Sequence, residues 1–250
     1  MQVIVEQLLT HYDLKGEGKL VLLLHGWGDN LHSFDDLKAK LSRQYQVVVL
    51  DLPGFGNSQP PLKVWGLDDY AKFVRQFLEK LGLPQPYAII GHSNGGALAI
   101  RALATEELKA KRLVLIAASG IRNTQRFKKL SLKIVAKTGK ATTFWLPGRY
   151  RQVLRKKLYG TIGSDMLVAP NLQETFKKTV RQDVRADAAK LKLPTLLIYG
   201  DQDQAVPLQD GQIYHRLIKG SELKVVEGAG HFAHHDQPEV VAKAIEEFLK

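Results

Sequence analysis

No cysteine occurs in the chain, so disulfides, thiolate nucleophiles and cysteine-ligated metals are excluded. The lack also fits a reducing cytoplasm. No apolar run exceeds the six residues from Leu113 to Ala118, whereas a bilayer-spanning helix needs about 20, so no membrane span is expected. The opening stretch, Met1-Gln2-Val3-Ile4-Val5-Glu6, has no basic region, and Glu6 interrupts its apolar character. No secretory signal is expected from it. Repeats and low-complexity tracts are absent as well. What remains is an ordinary globular composition: 250 residues, 44% hydrophobic and 24% charged. A chain of this length buries about 70–75% of the surface that its unfolded form exposes, which predicts a real core in one or two domains.

The net charge of +11 is unevenly spread. Residues 121–187 carry 16 Lys/Arg against 4 Asp/Glu, a net of +12, and the rest of the chain carries −1. That segment either meets something anionic or is a solvated helical surface, since lysine and arginine commonly form such faces.

Short apolar runs recur along the chain. Leu20–Leu24, Tyr45–Leu50, Tyr87–Ile90, Leu113–Ala117, Thr195–Tyr199 and Leu223–Val226 read as strands, most of them buried on both faces. The first twelve residues predict an edge hairpin, with Lys15-Gly16-Glu17-Gly18 as a turn. Helical spacing appears between the strands: at Phe34, Leu37 and Leu41, across Tyr70–Leu81, over Asn94–Leu103, and after Pro238, where Val241, Ala244, Ile245, Phe248 and Leu249 form one face. Strands alternating with helices predict a parallel sheet covered on both sides. Residues 121–187 break the alternation. They hold helix-like stretches (Phe127, Leu130, Ile134; Val153, Leu154, Leu158; Phe176, Val180, Val184) and no comparable strand, and read as a helical insertion.

The third of these strands runs directly into Gly91-His92-Ser93-Asn94-Gly95-Gly96. This is G-x-S-x-G between a strand and a helix, the context in which a serine is exposed on a tight, strained turn. Glycine at 91 and 95 removes side chains that would collide with neighbouring backbone. The positive end of the following helix points at Ser93. A serine nucleophile attacking an acyl group creates an oxyanion, which two aimed backbone N–H groups would stabilise. Asn94 N–H is one candidate. Trp27 N–H, in the His25-Gly26-Trp27-Gly28 loop after the first buried strand, is the other.

Serine needs a base, and the base needs an orienting carboxylate. Of the chain's eight histidines, His231 lies in the flexible loop Gly228-Ala229-Gly230-His231-Phe232 after the last strand. His234 and His235 compete from the same loop, at surface or supporting positions. His25 and His92 flank the serine and read as structural. Asp203, in Gly200-Asp201-Gln202-Asp203, is favoured as the carboxylate over Asp201, which caps or braces the loop. Asp51 reads as a turn brace.

Taken together, five anchors occur in the order found in α/β-hydrolases: His25-Gly26, Asp51-x-Pro53-Gly54-x-Gly56-x-Ser58, Gly91-x-Ser93-x-Gly95, Gly200-x-x-Asp203 with Pro207, and Gly230-His231. The chain resembles that family over nearly its whole length. The resemblance implies an α/β fold with a mostly parallel central sheet, helices on both faces, and a helical cap. Its core would be 1–120 and 188–250, and its cap 121–187. It implies a Ser93-His231-Asp203 triad, and in the family the last residue of G-x-x-D usually supplies the acid. Serine at 93 separates the chain from the branches that use aspartate there, and Asn94 departs from the methionine or leucine frequent in relatives. The expected activity is a carboxylesterase-type serine hydrolase working through an acyl-enzyme. Two alternatives are the same triad in C–C bond hydrolysis or lyase chemistry, and a ligand-binding protein with vestigial activity. The expected partner is a small acyl substrate, anionic if the basic cap selects it. No metal or organic cofactor is implied, no nucleic-acid motif is present, and the sequence carries no signal for an oligomeric state.

Overall fold

The computed structural model describes residues 1–122 and 172–250. Phe127, Leu130, Ile134, Phe144, Trp145, Val153, Leu154, Leu158 and Tyr159 lie outside the described residues. Among the described residues, eight strands form one sheet: β1 (Gln2–Val5), β2 (Leu8–Lys15), β3 (Leu20–Leu24), β4 (Gln46–Leu50), β5 (Ala88–His92), β6 (Arg112–Ile116), β7 (Thr195–Gly200) and β8 (Ser221–Val226). Their spatial order is β1-β2-β4-β3-β5-β6-β7-β8. The pairs β1–β2 and β2–β4 are antiparallel, and every later pair is parallel.

The apolar runs become central strands because successive residues face opposite sides of a sheet. Leu20, Leu22 and Leu24 join one buried cluster with Leu113, Leu115, Leu197 and Tyr199. Val21 and Leu23 join the other with Val114, Ile116, Leu196 and Ile198. The first face is covered by α2 (Leu67–Lys80), α3 (Asn94–Ala104) and α6 (Leu208–Leu217), and the second by α1 (Asp35–Leu41) and α8 (Pro238–Leu249). Shorter helices α5 (Arg185–Ala188) and α7 (Ala233–Asp236) complete the core, and α4 (Gln173–Arg181) contains Phe176 and Val180 of the third helical stretch.

Two details correct the expectations. The hairpin exists, but its turn is Glu6-Gln7, both with positive φ (47° and 65°). Such turns normally recruit Asn or Gly, so their usual signal is missing from the sequence. Lys15–Gly18 instead carries the chain from β2 to β3, which are not neighbours. Helix α6 was not anticipated, because Gly211 and several polar residues interrupt its pattern. Gly211 is needed there: a Cβ would lie 2.7 Å from the ring of Tyr199.

The C-terminal ends of β3, β5, β6, β7 and β8 all open on one edge of the sheet. In open α/β sheets this edge is where ligands bind. Among the described residues, no helix is long and apolar enough to cross a membrane.

Candidate active site

Ser93 sits between β5 and α3 with φ 51° and ψ −117°, a left-handed conformation that L-residues avoid. Packing on both flanks enforces it. A Cβ on Gly91 would lie 2.5 Å from the Gly95 carbonyl oxygen, and one on Gly95 would collide with the Leu24 carbonyl. Hydrogen bonds then lock the turn. Ser93 N–H donates to Ile116 O (3.0 Å), while Ser93 O accepts from Gly96 N, Ala97 N and Ser119 N at 3.0, 3.3 and 3.0 Å.

The structure brings the hydroxyl of Ser93 to 3.0 Å from His231 Nε2. The other ring nitrogen, Nδ1, lies 2.8 Å from Asp203 Oδ2. A carboxylate only accepts, so Nδ1 carries the proton and Nε2 is the acceptor facing Ser93. The Asp203 side chain is 0% exposed, and its second oxygen accepts from Ala205 N (2.7 Å) and Val206 N (2.9 Å). A buried carboxylate needs such partners to remain charged. Asp201 is exposed, and its backbone N–H joins Val226 O. The loops after β7 and β8 touch closely. Gln202 N–H donates to Ala229 O at 3.0 Å, and a Cβ on Gly200 would strike that same carbonyl.

The remaining candidates lie around this line without joining it. His234 is buried and stacked on Phe34 at 5.3 Å. Burial, reinforced by His235 and His231, pulls its pKa down to about 3. His235 donates through Nε2 to Ser33 O at 2.8 Å. His25 is fully buried: Nδ1–H donates to Gly26 O (2.8 Å), and Nε2 accepts from Leu52 N (2.9 Å). Burial pulls its pKa below the usual histidine value, which keeps the ring neutral. Asp51 accepts from Leu31 N (2.7 Å) and Asn57 N (2.8 Å), bracing its turn, and Gly56 leaves room for the carboxylate.

Gly26 lets the Trp27 loop pass close to Ser93, since a Cβ there would lie 3.1 Å from Ser93 Cβ. Asn94 opens α3, where the first N–H groups have no partner within the helix. The Trp27 ring meets Phe55 at 4.8 Å and Phe176 at 5.0 Å. Phe176 belongs to α4, which is tied to the core. Trp65 N–H donates to Thr175 Oγ1 (3.1 Å), Leu67 N–H to Gln182 Oε1 (2.7 Å), and Lys178 Nζ to Asp69 Oδ2 (3.1 Å). Periodicity does not fix a long-range ring contact such as Phe176 on Trp27, so the sequence carries no signal for it. Among the described residues, no group of three or more His, Asp or Glu could hold a metal ion.

Residues 19–186 and 146–238 match the family described as the alpha/beta hydrolase fold. The chain belongs to that family. It is 29% identical over 246 residues to a pimeloyl-[acyl-carrier protein] methyl ester esterase of Neisseria meningitidis, covering 93% of this chain and 94% of the relative. Its fold is similar to a bacterial membrane phospholipase A (TM-score 0.80, 24% identity, 100% of this chain and 84% of the other). It is also similar to a meta-cleavage product hydrolase from Pseudomonas fluorescens IP01 (TM-score 0.77, 21% identity, 99% and 96%).

Proposed function

We propose that this protein is a serine hydrolase that cleaves a carboxylic ester or a related acyl bond. The observation that carries the reading is the unbroken line from Ser93 Oγ through His231 to Asp203, with links of 3.0 and 2.8 Å. Ser93 attacks the acyl carbonyl while its proton passes to His231 Nε2. The carbonyl oxygen becomes an oxyanion, held by the N–H groups of Trp27 and Asn94. The intermediate collapses, breaking the ester bond, and imidazolium His231 gives its proton to the departing alcohol. The acyl group is now on Ser93 Oγ. Water then attacks, His231 takes and returns a proton, and the carboxylic acid leaves. Asp203 holds the imidazole in the required tautomer and stabilises it when charged.

We read 121–187 as the cap and assign it substrate choice. The rings of Trp27, Phe55 and Phe176 pack into one apolar cluster, and the segment's +12 charge suits an anionic acyl group. The Neisseria relative is named for an ester of a carrier-bound acyl chain. An acyl ester bearing a carboxylate or an anionic carrier is therefore the substrate class we favour.

Ser93→Ala should lower p-nitrophenyl butyrate turnover by about 10⁶-fold while leaving thermal unfolding unchanged. Turnover that survives in this folded variant refutes the assignment. In the native enzyme, an anionic ester should outperform its neutral partner at low ionic strength and lose that advantage in salt. Preference for the neutral ester at every salt concentration removes the substrate proposal but leaves the chemistry.

A further inference from the structure

His231 stands in a loop containing Gly228 and Gly230, with nothing among the described residues within 4 Å of the place a Gly228 Cβ would occupy. Glycine gives such a loop backbone freedom, yet the imidazole must be held closely. Several hydrogen bonds pin the loop: Ala229 O to Gln202 N (3.0 Å), Gly230 N to Asp236 Oδ2 (2.7 Å), and, at His231 itself, its carbonyl to His92 Nε2 (3.0 Å).

His92 is the last residue of β5, one position before the nucleophile. It is 1% exposed. Because a carbonyl only accepts, Nε2 carries the proton and Nδ1 is a bare acceptor. Among the described residues that Nδ1 has no hydrogen-bond partner, and it lies on the Gly26 side, 3.1 Å from where a Gly26 Cβ would stand. The ring packs 4.9 Å from His231, 4.9 Å from Phe232 and 4.8 Å from His234. One rigid side chain thus grows from the nucleophile strand, grips the loop of the base, and packs beside the loop of the oxyanion donor.

We propose that His92 is a positioning residue, which sets the distance between His231 and Ser93 by holding the His231 carbonyl. Burial, with His234 and His231 nearby, keeps its pKa well below the ordinary histidine value. The ring therefore stays neutral and places no charge against the imidazolium that forms at His231 in the cycle. The inference deepens the reading of His231 as the general base and rests on it.

The test compares His92→Phe, which keeps a ring and loses the donor, with His92→Gln, whose amide nitrogen reaches about as far as Nε2. A shift near 1 Å at a reacting group costs about 10²-fold. His92→Phe should therefore lower kcat for p-nitrophenyl butyrate about 10–100-fold with KM within about twofold, and His92→Gln should recover kcat to within about fivefold of native. Equal losses in both variants, or native kcat in His92→Phe, overturn the proposal. If His92→Phe does not fold, His92→Asn replaces it, because its amide falls one methylene short; equal kcat in the Asn and Gln variants overturns the proposal. Ser93→Ala is run alongside. Turnover persisting there defeats the triad reading and this inference with it. Turnover lost there but intact in His92→Phe defeats this inference alone.

Discussion

The turn at Ser93 and the His231–Asp203 junction lie side by side and are held differently. Around Ser93 the constraint is steric: Gly91 and Gly95 leave no room for a side chain, and the serine is driven into a left-handed conformation. Around Asp203 and His231 it is mostly hydrogen bonding, with each carboxylate oxygen satisfied and the imidazole bound at both nitrogens. A crowded turn tolerates little, and here the crowding includes the distant Leu24 carbonyl. A hydrogen-bonded junction joins residues 28 apart in sequence and is only as good as the loops that carry them. Chemical substitutions that keep shape should therefore damage the junction most, and shape changes should matter most where backbones touch.

Asp203→Asn probes the first half of that contrast, with the largest effect expected at the junction. The amide keeps the volume but favours the wrong imidazole tautomer, and kcat should fall about 10³–10⁴-fold while urea denaturation shows a folded protein. A loss below tenfold would mean that the carboxylate does not orient the base. Gly200→Ala probes the one point where the junction, too, is steric. The added methyl must push the β7 loop away from Ala229, and kcat should drop about 10²-fold, with the acid and base still present. Native kcat in this variant would show that the two loops move independently.

The smallest effect concerns His234 behind the junction. Its folded pKa of about 3 lies below that of an unfolded histidine. Between those values the unfolded chain binds a proton that the native ring does not. Stability therefore falls as pH drops from about 6.5 towards 3, by up to about 1.4 kcal/mol per pH unit for one such ring. Urea midpoints for His234→Phe should decline less steeply than native between pH 7 and pH 5. Identical slopes would assign the acid sensitivity to other groups.

The strands were legible in sequence because a parallel sheet buried on both faces needs uninterrupted apolar runs, and β3 to β7 supply them. Ser93 was legible because its strain is local and demands glycine at fixed spacing. Residue contacts that close over long separations left no such trace. Sequence alone could not seat Phe176 on Trp27, or show that His92 reaches the carbonyl of a residue 139 positions away. The Glu6-Gln7 turn escaped because its residues are atypical for positive φ, and α6 because its glycine answers to Tyr199 rather than to helix propensity.

The stem of the basic segment has a practical consequence. Val184 N–H donates to Gly120 O at 2.9 Å, and Arg122 N–H to Asp183 Oδ2 at 3.1 Å, so the outgoing and returning chains are stitched together at one narrow doorway. A graft that keeps α4, which with Gln182 binds Trp65, Leu67 and Asp69, would leave those stitches in place, as with insertions at adjacent chain ends generally. If the segment chooses the substrate as proposed, the eight-stranded platform would keep its register while selectivity is exchanged like a cassette.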